Sequence, residues 1–379
     1  MSDTDQNINV VVPGDKEELF GTVEVVVDEK KDMIDFALVE NDKAQQHIDH
    51  NLEEVIEDSV ALESYITLLR SAGYDGVSKQ TAKAISIGVA RIDRRFGTKS
   101  PLGVSLEDEA SETKSLGHDQ EKSGINEEGL VGRAKELWAK FIELLRKALA
   151  NIKSRLVKIK EKFTGLGPKI EKFREEFKNW SPNDAGGGKK ITIPGQEAQY
   201  LFKGGKEVNL ADVVALMDWC NAEIPAFVKK TMAKIKSLTG KESAEEIRAI
   251  AHLDGMPAPR VIPITLQMDI SADEITISPN GDEEDATIPV RSRSQVSKAL
   301  DGCGHINDAA RRTTGEEVDI FSEALEAQFS VVGSGEASQA VKAAMSTLQS
   351  LLLSKSVIMS YCLHVGQCSL NRIGREQNA

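Results

Sequence analysis

"LVGRAKELWAKFIELLRKALANIKSRLVKIKEKF", Leu130–Phe163, decides the fold class. Leu130, Ala134, Leu137, Phe141, Leu144, Ala148, Ile152, Leu156, Ile159 and Phe163 recur at spacings of three and four. That is the period of one helix face, held for about nine turns. Polar residues fill the intervals, so the segment is a long amphipathic helix that must lay one side on a partner. "TGLGP" is expected to break it, with "KIEKFREEFKNW" as a shorter following helix and "SPNDAGGGKK" as a hinge.

Upstream lies a second helical pattern. Ile48, Leu52, Val55, Leu62, Tyr65 and Leu69 share a face, and Gly73 stands where a helix would stop. Ser78 can cap the next helix, whose Ala82, Ile85, Val89, Ile92 and Phe96 form a regular stripe. The pair reads as a helical hairpin over residues 48–96, expected to stand apart from the later domain. "NINVVVPG" and "GTVEVVVDEK" in the first 45 residues fit short strands and disorder equally.

Downstream, helices are expected at Leu210–Cys220, Ala222–Leu238, "SAEEIRAIAHL", "SQVSKALDGCG" and "EEVDIFSEALEAQF". "RVIPITLQMDI" and "EITISPNGD" read as a small β element. The run from Ser338 to about Ser360 is apolar around most of its circumference, as a buried central helix would be. The whole is mainly α: a hairpin, a flexible linker, a long amphipathic helix and a helical domain with a small β element. Aromatic residues are only 5% of the chain, which points to an aliphatic core.

Charge is unevenly divided. The chain of 379 residues carries a formal net charge of -13. Residues 1–107 hold 21 Asp and Glu against 11 Lys and Arg, whereas residues 129–179 hold 14 Lys and Arg against 6 Glu. Arg133, Lys135, Lys140, Arg146, Lys147, Lys153, Arg155 and Lys158 are candidates for contact with a polyanion, through phosphates rather than bases. Two other readings of the same stretch are a plain solvated face and a membrane-surface helix anchored near Trp138 and Phe141.

Signals for catalysis are weak. "GSGEAS" lacks the Lys-Ser/Thr ending of a phosphate loop, and "GLGP" is too short for a dinucleotide fingerprint. Cys303 with His305, and Cys362, His364 and Cys368, could converge on zinc, but their spacings fit no familiar finger and packing is the plainer reading. No cofactor and no enzymatic activity are expected. Four cysteines in this length suggest a reducing compartment. "MSDTDQNINV" has no leader pattern, and no apolar stretch reaches the length of a membrane span.

Between the hairpin and the long helix runs the polar strip "GVSLEDEASETKSLG", Gly103–Gly117. It offers Ser105-Leu106-Glu107 ahead of Asp108, with further Glu residues at Glu112 and Glu127. A protease binds extended backbone, so such motifs matter where the chain is unpacked. The stretch Leu62–Glu107, "LESYITLLRSAGYDGVSKQTAKAISIGVARIDRRFGTKSPLGVSLE", followed by "AKELWAKFIELLRKALANIKSRL", resembles the internal head (inner body) proteins of large-genome tailed bacteriophages. The resemblance implies an N-terminal propeptide, residues 1–107, that directs the chain into the assembling head. The prohead protease would cut at a small-x-Glu site, Ser105 to Asp108, with Glu112 and Glu127 as alternatives. Residues 108–128 would form the cleavage linker and residues 129–379 the mature domain. It further implies synthesis in the host cytoplasm and retention inside the capsid, beside packaged DNA and other head or core proteins. Rival roles are a scaffold lost after assembly and an effector ejected into the host.

Overall fold

The computed structural model describes residues 36–72, 77–96, 127–179, 189–326 and 335–379. The expected strands of the first 35 residues, the stop at Gly73, the strip Gly103–Gly117 and most of the hinge after Trp180 lie outside them. The chain divides into two units after Glu40. Of the first, the described part is the opening turn of α1; the second, Asn41–Ala379, carries everything that follows.

The chain is mainly helical. α1 (Phe36–Ala72) and α2 (Lys79–Phe96) form the hairpin, and α3 (Glu127–Asn179) is the long amphipathic helix. Short elements follow: β1 (Lys190–Ile193), α4 (Gly195–Leu201), β2 (Phe202–Lys203) and β3 (Lys206–Glu207). Then come α5 (Leu210–Lys236), α6 (Ala244–Ile250), β4 (Leu266–Ile270), β5 (Ile275–Pro279) and β6 (Ala286–Pro289). α7 (Arg293–Arg311), α8 (Glu316–Ala324) and α9 (Glu336–Asn378) complete the order. The β content is three antiparallel two-stranded ladders: β1 with β6, β2 with β3 and β4 with β5.

Ser78 caps α2, its Oγ accepting from the Thr81 N–H at 3.2 Å. Gly88 lets α1 and α2 approach closely, because a Cβ there would lie 2.2 Å from the Tyr65 hydroxyl. The hairpin does not stand apart. Leu62 and Ile66 of α1, Ile85, Val89 and Ile92 of α2, and Leu130, Ala134 and Leu137 of α3 form one buried cluster. The reason is the apolar stripe itself: two helices cannot bury two full stripes against each other without leaving one side for a third.

α3 runs unbroken through "TGLGP", with Pro168 inside it. Leu166 and Ile170 on either side of that proline are buried, so the apolar stripe continues across it. Gly167 faces Asn307 and Arg311 of α7, 3.5 Å from where a Cβ would be. Packing on α7 therefore overrides the local break signal. Likewise Leu210–Lys236 is a single helix containing Pro225, not two, with Ile224, Phe227 and Val228 buried beyond the expected gap. Asn209 caps it, accepting from the Ala211 N–H.

α9 is the centre. It extends well past Ser360 because Cys362, Leu363, Val365, Cys368, Leu370 and Ile373 continue the buried surface. Helices α3, α4, α5, α6 and α7, together with β5, pack on it. A helix covered on so many sides must pair its own charges internally. Lys355 donates to Glu317 of α8 at 2.6 Å, with the two side chains 1% and 0% exposed. Near the other end, Arg291 and Arg372 both pair with Glu376 and reach Glu207 of β3. Arg375 pairs with Glu197 of α4.

Glu317→Leu leaves Lys355 buried without its carboxylate and is expected to cost roughly 3–5 kcal/mol in urea unfolding. Lys355→Met combined with Glu317→Leu should recover most of that loss. A double variant as unstable as the single one would show that the pair is not what the site requires.

Candidate nucleic-acid interface

At 100° per residue, the buried positions of α3 occupy one side of its circumference and the basic residues flank them. Arg133, Lys140, Lys147 and Lys158 fall along one border; Lys135, Arg146 and Lys153 fall along the other. Between the two borders, on the outermost line, stand Glu136, Ala139, Glu143, Ala150, Val157 and Glu161, all exposed. The charge is therefore two rails with neutral and acidic residues between them.

Many of the rail residues are already engaged. Arg133 pairs with Asp93 of α2 at 3.3 Å. Lys140 and Lys147 both reach Glu143, whose carboxyl these two lysines hold below its usual range. Lys153 pairs with Asp319 of α8 at 2.6 Å. Arg155 is buried, 7% exposed, and cannot meet an external polyanion in this fold. Lys135 and Arg146, both exposed, and the half-buried Lys158 have no salt-bridge partner among the described residues. The structure thus brings Lys135 and Arg146 onto one edge and separates them from Lys158.

Ser105, Leu106, Glu107, Asp108 and Glu112 lie outside the described residues. Glu127 is the first residue of α3.

The cysteine and histidine candidates do not gather. Cys303 donates weakly to the Gly366 carbonyl at 4.0 Å, while His305 is exposed on the other side of α7. His364 Nδ1 lies 2.8 Å from the Ser360 carbonyl and its ring stacks on Tyr200 at 5.0 Å. Cys220, Cys303, Cys362 and Cys368 are buried and free. Burial pushes the Cys220 and Cys303 thiols up to about 12 and raises Cys362 and Cys368 as well, so none is an activated thiolate. Among the described residues no three His, Cys, Asp or Glu side chains form a metal-binding group. No helix among them is long and apolar enough to cross a membrane.

Sequence reasoning missed a polar seam that holds α1 against the long helices. Asn151 of α3 donates to Gln45 at 3.0 Å, and Gln349 of α9 donates to Asp49 at 3.0 Å. Further along α1, Glu63 accepts from Gln339 and faces Lys342, which lies over the Trp138 ring at 5.7 Å. Burial raises Asp49, Asp58 and Glu63 above the ordinary carboxylate range, against the opposing pull of their partners. Burial also lowers Lys342 to about 8, with Glu63 pulling the other way. Lys342, one of two cations in an apolar stretch, was the available signal; its partner 279 positions upstream was not.

A model of the family described as phiKZ-like phage internal head proteins matches residues 29–254. No curated protein matches the chain, and no solved structure matches it.

The seam sets a sign for pH. Asp49 has a raised folded-state value, so its contribution is fully present below its unfolded value of 3.8 and is lost as pH rises through the folded value. Asp49→Asn, whose oxygen can still accept from Gln45 and Gln349, is expected to raise the urea midpoint at pH 7. That advantage should shrink toward pH 4, where Asp49 itself takes up a proton. An equal gain at both pH values would show that the carboxylate's charge is not the cause.

Proposed function

The chain belongs to the phiKZ-like phage internal head proteins, a structural family of the capsid interior, and from that premise we propose that it is made as a precursor. Residues 1–107 direct it into the assembling head, the prohead protease cuts between Glu107 and Asp108, and the remainder is retained beside the packaged DNA and other head proteins. The observation that carries this reading is the charge division at the cut. Residues 1–107 have a net charge of -10, so their removal takes the chain from -13 to -3. A less acidic remainder is a better neighbour for a dense polyanion. Synthesis in the host cytoplasm precedes assembly in this scheme.

Local chemistry favours Glu107 over its competitors. Pro101 and the glycines Gly97 and Gly103 precede it, which disfavours helix and suits a protease groove. Glu127 already belongs to α3, and helical backbone has to unwind before it can be bound as an extended strand. Ser105 supplies the small residue two positions before Glu107.

The shared apolar cluster adds a condition. Cleavage severs the connection between α2 and α3 but leaves Leu62, Ile66, Ile85, Val89 and Ile92 packed on Leu130, Ala134 and Leu137. Loss of the N-terminal unit then requires a second event that strips these helices away, uncovering the apolar start of α3.

Two measurements test the scheme. N-terminal sequencing of the chain in purified virions is expected to begin at Asp108; a start at Glu128 moves the site, and a start at Met1 or Ser2 overturns processing. The purified full-length chain, cut in vitro after Glu107, is expected to elute as one particle in native buffer and as two fragments in urea. Separation in native buffer would mean that the cluster does not hold the hairpin once the link is gone.

A further inference from the structure

The two rails of α3 contrast with a second set of cations. Lys229, Lys230, Lys234 and Lys236, on the last two turns of α5, are all exposed. None has a salt-bridge partner among the described residues, a state that Lys135, Arg146 and Lys158 of α3 share, whereas Lys140, Lys147, Lys153, Lys172, Arg174 and Lys178 are paired. Stabilisation of the α5 C-terminus accounts for Lys234 and Lys236, which lie in its last turn. It does not account for Lys229 and Lys230, because the helix-end field fades beyond that turn.

Two of these lysines, Lys230 and Lys234, line a concavity. A groove of about 310 Å³ runs between α5 and the segment from α6 to Gly255. Phe227 and Ile250 line its apolar part, and Lys230, Lys234 and His252 line its polar part. Thr231 is used internally, its hydroxyl donating to the Ile250 carbonyl at 3.4 Å. Asp254 is the acidic side chain on the lining, and Asp273 stands 3.9 Å from His252 Nε2. Lys230 and Lys234 are one turn apart, so both ammonium groups can close on a single anionic group from the same side.

We propose that this groove, not the face of α3, seats the phosphodiester backbone of duplex DNA. Lys230 and Lys234 contact a phosphate held in the groove. An ammonium acts toward phosphate as a point charge, so the contact reads no bases. This inference rests on the reading that the chain lies beside packaged DNA, and it assigns that contact to a surface.

The test uses the full-length chain and a labelled 30-base-pair duplex, titrated across a range of salt concentrations. The unsubstituted chain is expected to bind with affinity falling steeply as salt rises. Lys230→Gln with Lys234→Gln should weaken binding and flatten the slope of log K against log salt by about 1.8, at roughly 0.9 for each lysine charge removed from the phosphates. Lys230→Arg with Lys234→Arg should retain the slope. Lys135→Gln with Arg146→Gln, on α3, should change neither affinity nor slope. All four side chains are exposed, and an unchanged urea midpoint verifies folding. The groove is ruled out if the α5 glutamine pair binds like the unsubstituted chain, or if the α3 pair causes the larger loss; the DNA reading survives either result. Absence of duplex binding by the unsubstituted chain at low salt would overturn both.

Discussion

Lys355 and Glu317 meet at 2.6 Å where neither reaches solvent, and much of the fold follows from the burial this requires. An ammonium and a carboxylate taken out of water are tolerable only together, so α8 must sit where its Glu317 meets the middle of α9. α5 lies close enough for both charges to act on the Cys220 thiol. The same logic recurs toward the C-terminal end of α9. Arg372 and Glu376, one turn apart, are matched by Arg291 ahead of α7 and by Glu207 of β3. Such pairs contribute little net stability compared with apolar replacements, but each penalises a shifted register heavily. They fix where each neighbour docks along a helix that aliphatic packing alone would let slide.

This architecture suits a protein whose place is structural. The family match spans the hairpin, α3 and the elements as far as residue 254. Within that range the hairpin is held by an apolar cluster on one side and a polar seam on the other. Interfaces with many buried polar groups resemble transient contacts more than domain cores. The basic helix α3, for its part, spends much of its charge on Asp93, Glu143 and Asp319. A high count of lysines in a sequence is therefore a poor measure of the charge available to a partner.

The helices of the hairpin, α3 and the core of α9 were legible because each repeats apolar residues at the helical period. The errors have a common cause. Pro168 and Pro225 are local break signals, and packing of Leu166, Ile170, Ile224 and Phe227 overrides them. The pairing of β1 with β6 joins Lys190 to Pro289, and two four-residue strands that far apart carry no local signature. The supposed independence of the hairpin failed because a stripe of apolar residues announces that it will be covered but not by what. In the candidate interface, the lysines and arginines of α3 could be counted from the sequence, but their partners within the fold could not. Asp319 lies 166 positions from Lys153, and the exposure of the α5 lysines depends on which carboxylates the fold leaves out of reach.

The central claim is that α9 is the most stable core of the fold and the hairpin a less stable part packed against it. Native-state hydrogen exchange on the full-length chain, followed at low urea concentrations, tests this directly. Amides of α9 between Leu348 and Ile373 are expected to exchange only through global unfolding, while those of α1 and α2 exchange through a smaller opening with weaker urea dependence. Exchange of α1, α2 and α9 at one common free energy would contradict it, since the hairpin would then be inseparable from the core.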